Sequence, residues 1–272
     1  MDALRQVGSW PAATVAVAVL RRGDEIGAYG ERERVFRWAS VTKLATALAT
    51  LVAAEEGAID LDEPAGPEGS TVRHLLAHAS GLPFEPGGPT GRPGARRVYS
   101  NVGFDALAEH VAARAEMPFA NYLRGAVLLP LGMRSELRGS AASELHGSLD
   151  DLVRLARELQ APRLIARETL DEAATVQFPG LAGVLPDFGR FDSNDWGLGF
   201  ELRDAKSPHW TGSRNSPRTF GHFGGSGTFL WIDRDADVAL ACLTNLDFGD
   251  WAKQAWPRLS DDVLAEAERR PP

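Results

Sequence analysis

Ser40 and Lys43 stand three residues apart in Trp38-Ala-Ser-Val-Thr-Lys43, directly before the apolar run Leu44 to Val52. On a helix this spacing puts a hydroxyl and an ammonium on one face, one turn apart. A serine hydroxyl is a weak nucleophile until a base takes its proton, and a second group must then protonate the atom that leaves. A lysine can be that base only if it is held neutral or shares its proton. The first turn of a helix is a poor place for a cation, because the macrodipole favours negative charge there, so compensation is expected nearby. Tyr99-Ser100-Asn101 offers it. A phenol with an ordinary pKa of about 10 beside an ammonium of about 10.4 can exchange a proton at little cost, and the lysine charge favours the phenolate. Asn101 can hydrogen-bond Lys43 and orient a substrate carbonyl. The run Gly221-His222-Phe223-Gly224-Gly225-Ser226-Gly227 lets backbone approach a ligand closely. One N–H from that edge, with the N–H of Ser40, makes an oxyanion hole.

These groups need elements to hold them. Leu44, Ala47, Leu48, Leu51 and Val52 follow the apolar spacing of a largely buried helix, stopped by Gly57, with Ser40 at its amino end. Before it, Thr14 to Leu20 and Glu25 to Tyr29 read as a hairpin, and Val35 to Trp38 as a short extended piece. Helical patterns predominate over about 60–200: Val72 to His78, Phe104 to Ala115, Phe119 to Leu129 and Leu149 to Gln160. Ser148 with Asp151 fits a capping box at the last. Pro83 to Gly94 is a Gly/Pro loop, with Phe84 to Gly94 a candidate rim. Gly197 to Leu202, Thr228 to Asp233 and Val238 to Thr244 read as strands, and a closing amphipathic helix is expected from Leu246. The expectation is an α+β fold, with a mostly antiparallel sheet contributed by 1–59 and 196–272 and flanked by helices. A mainly helical subdomain spans 60–195, and the ligand cleft lies between the two.

The 272-residue chain has a net charge of −8, which argues against nucleic acid and anionic membrane as partners. No basic region followed by an apolar core opens the chain, and Ala12 to Leu20 is too short to span a bilayer, so a cytoplasmic protein is expected. Cys242, the single cysteine, lies in an apolar run and reads as core. His74 and His78 have the spacing of a metal pair, but no H-E-x-x-H motif or nearby cysteine accompanies them, so no metal is expected there. Asp150 and Asp151 read as first-turn acids that complement a helix dipole. Trp196, Trp210 and Phe223 are candidates to line an acyl pocket.

Ser40-Val-Thr-Lys43, Tyr99-Ser100-Asn101 and His222-Phe223-Gly224 occur in the order of the Ser-x-x-Lys, Tyr-x-Asn and Lys/His/Trp-x-Gly motifs of the serine β-lactamase-related family, which the sequence resembles. That group contains class C β-lactamases, DD-peptidases, D-aminopeptidases and family VIII-type esterases. TVRHLLAHASGLP at 71–83, LLPLGM at 128–133 and LTN at 243–245 are also similar to it. The resemblance implies the β-lactamase/transpeptidase-like fold and acyl transfer through an acyl-enzyme, with no cofactor. It implies Ser40 as nucleophile, Lys43 and Tyr99 as the acid/base pair, and Asn101 as a ligand of substrate and Lys43. Ser40 and Gly225 would donate backbone N–H groups beside Gly224, and His222 would form a wall near Tyr99. The third motif departs from the usual Lys followed by Thr or Ser. Phe223 donates no hydrogen bond and His222 is only partly charged near neutrality, so a less charged acyl substrate is expected. The reading is a carboxylesterase-like serine hydrolase of small esters, amides or short peptides. The alternatives are a D-amino-acid peptidase or amidase, a weak β-lactamase, and a penicillin-binding or sensor protein without turnover.

Overall fold

The computed structural model describes residues 1–269. Its main sheet is six-stranded and antiparallel, and it draws on both ends of the chain. From the first end come β1 (Val15–Arg21) and β2 (Asp24–Tyr29), and β3 (Phe36–Arg37) joins β4 (Glu136–Leu137) and β5 (Leu145–Gly147) in a small second sheet. A hairpin of β6 (Gly183–Leu185) and β7 (Gly189–Phe191) lies outside both. The main sheet is completed by β8 (Glu201–Leu202), β9 (Phe220–Gly224), β10 (Thr228–Asp233) and β11 (Val238–Thr244). Its order is β2-β1-β11-β10-β9-β8, so the first hairpin adds directly to the last strand.

Strand alternation splits the core into two layers. Ala16, Ala18, Leu20, Ala241 and Leu243 face α1 (Thr42–Glu55) and α5 (Leu149–Gln160). Val17, Val19, Leu240 and Cys242 face the opposite layer, under α7 (Asp250–Arg269) and the amino-terminal 3-10 turn Asp2–Ser9. Between the two groups of main-sheet strands run α2 (Val72–Leu76), α3 (Asn101–Arg114), α4 (Phe119–Leu123) with a π turn over Arg124–Leu128, α5, and α6 (Arg167–Ala173). Every residue of α1 from Thr42 to Ala53 is buried, so the helix is enclosed on all sides rather than along one stripe.

Several local expectations change. The helix expected to reach His78 ends at Leu76, because His78 takes a left-handed φ of 54°. α3 begins at Asn101 rather than Phe104, since Ser100 Oγ accepts the Gly103 N–H at 2.7 Å and caps it. The glycine run at 221 is mostly strand β9, and only Glu201–Leu202 of the strand expected over 197–202 forms. Ser148 caps α5 through the Asp151 N–H at 3.2 Å. The Asp151 carboxylate completes no reciprocal bond and instead accepts from Arg134 N–H and Ser135 Oγ. Asp150 pairs with Arg32 at 2.7 Å.

Candidate active site

Ser40 sits in one turn of 3-10 helix, Ala39–Val41, that leads into α1, and its side chain caps nothing. Ala39 has a φ of 46°, a left-handed conformation that disfavours a residue with a Cβ by about 1–2 kcal/mol. The surroundings hold it there. Trp38 N–H donates to the Leu145 carbonyl at 2.9 Å and Trp38 Nε1–H to that of Gly147 at 3.1 Å, fixing the turn to β5. On the other side, Thr228 Oγ1 donates to the Trp38 carbonyl and Ser226 Oγ to that of Arg37, both at 2.8 Å. A Cβ on Gly224 would lie 2.5 Å from the Trp38 carbonyl oxygen, so glycine is what lets β9 come this close.

Lys43, fully buried on α1, has its Nζ 2.7 Å from Asn101 Oδ1, 3.0 Å from the Ala142 carbonyl and 3.3 Å from Ser40 Oγ. Burial lowers its pKa to about 7, against an opposing pull from Asp105. A neutral amine has two N–H donors and one lone pair. With two carbonyl oxygens taking the donors, the lone pair is left for the Ser40 hydroxyl proton. Asp105 accepts from Ser140 Oγ at 2.7 Å, and Ser140 Oγ accepts from Ala142 N–H at 3.1 Å, which fixes the loop carrying the Ala142 carbonyl.

Tyr99 packs over this group, its ring centroid 4.8 Å from Lys43 Nζ and its hydroxyl on the side of Ser40. Burial among aromatic rings raises the phenol pKa above its ordinary value, outweighing the Ser40 hydroxyl nearby, which lowers it. The lysine charge therefore does not produce the expected phenolate: desolvation disfavours the charged form of both groups. His222 Nδ1 donates to its neighbour's carbonyl at 2.7 Å, which leaves Nε2 as an acceptor 3.5 Å from the Tyr99 hydroxyl. Burial, reinforced by Lys43, lowers the imidazole to about 3. His222 is thus neutral near pH 7 rather than partly charged.

The rings of Trp196 and His78 complete the cage around Tyr99, at centroid distances of 5.7 and 4.7 Å. Phe223 points to the opposite face of β9 from His222 and packs against Phe248 and Trp256 under α7. Trp210 lies in that same layer, its Nε1–H bonded to Glu201, so these two candidates do not meet Ser40. Gly225 follows β9 on the exposed side. His74 bonds Thr71 and stacks on Phe178, whereas His78 accepts the Ser100 N–H, so the two histidines turn to different partners. Ser40, Lys43, Tyr99, Asn101 and His222 converge. Thr228, Asp105, Ser140 and the Ala142 carbonyl escape a sequence reading, because no residue type marks a backbone carbonyl as a ligand.

The sequence model of the Beta-lactamase family matches residues 10–265, and the chain belongs to that family, whose members are serine hydrolases. The crystal structure of a beta-lactamase from Mycobacterium bovis is similar with a TM-score of 0.96 at 51% identity, over 97% of this chain and 99% of that one. EstCE1, a hydrolase with promiscuous acyltransferase activity, shares the fold at 18% identity and a TM-score of 0.78, over 96% of both chains. Over 139 residues the chain is 28% identical to the D-alanyl-D-alanine-carboxypeptidase/endopeptidase AmpH of Escherichia coli (strain K12), covering 38% of this chain and 36% of that protein. The matched segment thus spans little more than a third of such curated relatives. Among the described residues no helix is long and apolar enough to cross a membrane.

Proposed function

We propose that this protein is a carboxylesterase-type hydrolase that cleaves small esters or amides through an acyl-enzyme on Ser40. The observation that carries this reading is the orientation of Lys43. Its two carbonyl partners leave the amine lone pair facing Ser40 Oγ at 3.3 Å, with a pKa of about 7. On this reading Ser40 Oγ attacks the substrate carbonyl carbon while its proton passes to Lys43 Nζ, directly or across the Tyr99 hydroxyl. The backbone N–H groups of Ser40 and Gly225 receive the oxyanion. Tyr99 gives its proton to the leaving oxygen or nitrogen and is reprotonated from Lys43. Water then attacks the acyl-enzyme by the same proton path in reverse. A neutral His222, and a Phe223 turned under α7, supply no cation or hydroxyl for a substrate carboxylate at the third motif. That supports esters over β-lactams. A cytoplasmic setting belongs to the same reading, and cell fractionation checks it.

A D-amino-acid peptidase or amidase is the second reading, favoured by the segment shared with AmpH. Intact-mass spectrometry of wild type and Ser40→Ala, mixed with p-nitrophenyl butyrate, a penicillin or a cephalosporin while product release is followed, separates the cases. Rapid ester turnover that needs Ser40, with little β-lactam hydrolysis, is expected. Full activity in Ser40→Ala would sink the mechanism. A lasting β-lactam adduct without turnover would indicate a penicillin-binding protein, and no adduct or product would shift attention to peptides.

A further inference from the structure

Beside Tyr99 lies a cavity of about 550 Å³, between the loop carrying Pro83 and Phe84 and the β6–β7 hairpin. This is within the size range of small-molecule sites. Two apolar side chains stand unusually open at it, Phe84 at 46% and Val184 at 55% exposure, and Phe84 stacks on the Tyr99 ring at 5.7 Å. Apolar surface left open at a concave site marks it for an apolar ligand.

Three arginines line the same cavity. Arg97 is committed: its guanidinium is buried and donates to the carbonyls of Ala77, Gln177, Phe178 and Asn194, tying the neighbouring loops together. Arg96 and Arg190 are exposed and differ from it. Arg96 donates to the Thr90 carbonyl at 3.0 Å, and Arg190 sits opposite Val184 across the hairpin, so both side chains of that pair rise on one face. Among the described residues neither arginine has a carboxylate within ion-pair reach, although the chain carries 37 acidic side chains. An apolar hollow beside Tyr99 is therefore edged by two guanidinium groups free to bind an anion.

We propose that this cavity sets specificity, taking an acyl group that is apolar along its length and ends in an anion held by Arg96 and Arg190. The proposal rests on the esterase reading and deepens it. Substrate charge is read at the far end of the acyl chain, not at the third motif. The test compares kcat/KM for mono-p-nitrophenyl suberate with that for p-nitrophenyl octanoate, which differ only in the terminal carboxylate. The wild type is expected to favour the suberate half-ester by about tenfold, as charge-assisted hydrogen bonds at a partly open site allow. In Arg96→Gln/Arg190→Gln the ratio should fall to about one, and the corresponding double lysine substitution should restore most of it. Damage to the fold would lower both esters together and leave the ratio alone. A wild-type ratio at or below one, or an undiminished ratio in the double glutamine variant, overturns the proposal. A second arm needs no turnover: calorimetry of Ser40→Ala with 6-phenylhexanoate and 6-phenylhexanol. Tighter binding of the acid, lost in the triple variant, supports the cavity even if no ester is hydrolysed; equal binding of the two rejects it. Failure of Ser40-dependent hydrolysis with the acid still preferred would reject the esterase reading alone.

Discussion

A buried amine whose two N–H groups face carbonyl oxygens keeps its lone pair for the third neighbour, and this arrangement gives Lys43 a definite pH signature. Acting as base, it must be neutral, so kcat/KM for an ester should rise with pH through about 7 and level off above it. His222, at about 3, stays neutral throughout that range and cannot supply the same limb. In His222→Gln the limb should therefore remain near 7, as a pH–rate profile will show; its disappearance would transfer the titration to the imidazole. Lys43→Arg should abolish turnover, because a guanidinium cannot give up its proton in this range. Stability follows with a fixed sign. The lysine pKa is lowered on folding from an ordinary 10.5, so the unfolded chain binds more protons between about 7 and 10.5. Over that interval the contribution of Lys43 to stability rises with pH. The rise should be missing from Lys43→Met in urea titrations at several pH values.

The β9–β10 hairpin and β5 grip the Ser40 turn from opposite sides, so the placement of Ser40 depends on elements remote in sequence. Thr228→Val removes the bond to the Trp38 carbonyl while keeping the side-chain shape. It should cost about 1 kcal/mol of stability and lower kcat more than it raises KM. Adjacent glycines should behave differently. A Cβ at position 224 would lie 2.5 Å from both Thr228 Oγ1 and the Trp38 carbonyl, whereas one at 225 meets nothing within 4 Å. Gly224→Ala should lower the melting temperature and displace the turn, while Gly225→Ala should melt like the wild type. Thermal scans of both variants decide this, and equal losses would mean that close approach is not what position 224 is for.

At the edge of the main sheet, a buried ionic cluster ties strand β8 to the loop that follows it. Glu201 accepts from Lys206 at 2.5 Å, His209 at 2.9 Å and Trp210 at 3.0 Å, and Lys206 also bonds the carbonyls of Asp195 and Leu202. Burial alone would raise the Glu201 carboxyl, but His209 and Lys206 prevail and hold it below its ordinary value. Its contribution is therefore complete above about 4.5 and lost as pH falls through about 2. Glu201→Ala strands a buried ammonium and should cost about 3–5 kcal/mol in denaturant unfolding. Glu201→Ala should also unfold with a shallower dependence on acid than wild type. The cluster adjoins β9, where Glu201 pairs with Gly221 beside His222, so unfolding measurements rather than rates are the readout for it.

Residue type and spacing marked Ser40, Lys43, Tyr99 and Asn101, together with the antiparallel sheet and the long buried helix, and the family motifs added His222. Apolar periodicity is a local property, and a family motif is a local string, so both are legible in one dimension. Strand β9 was not, because a glycine-rich run shows no strand alternation, and only pairing with β10 and the closeness of Trp38 account for it. The start of α3 at Asn101 was hidden in the Ser100 cap, and Phe223 could be sent to the opposite face from Ser40 only once the register of β9 was known. Above all, the charge states belong to the tertiary structure. Whether Lys43 is an ammonium or an amine depends on how completely other segments remove it from water and on where the Ala142 carbonyl falls. No spacing between residues 40 and 43 contains that information, since desolvation is a property of everything packed around a group.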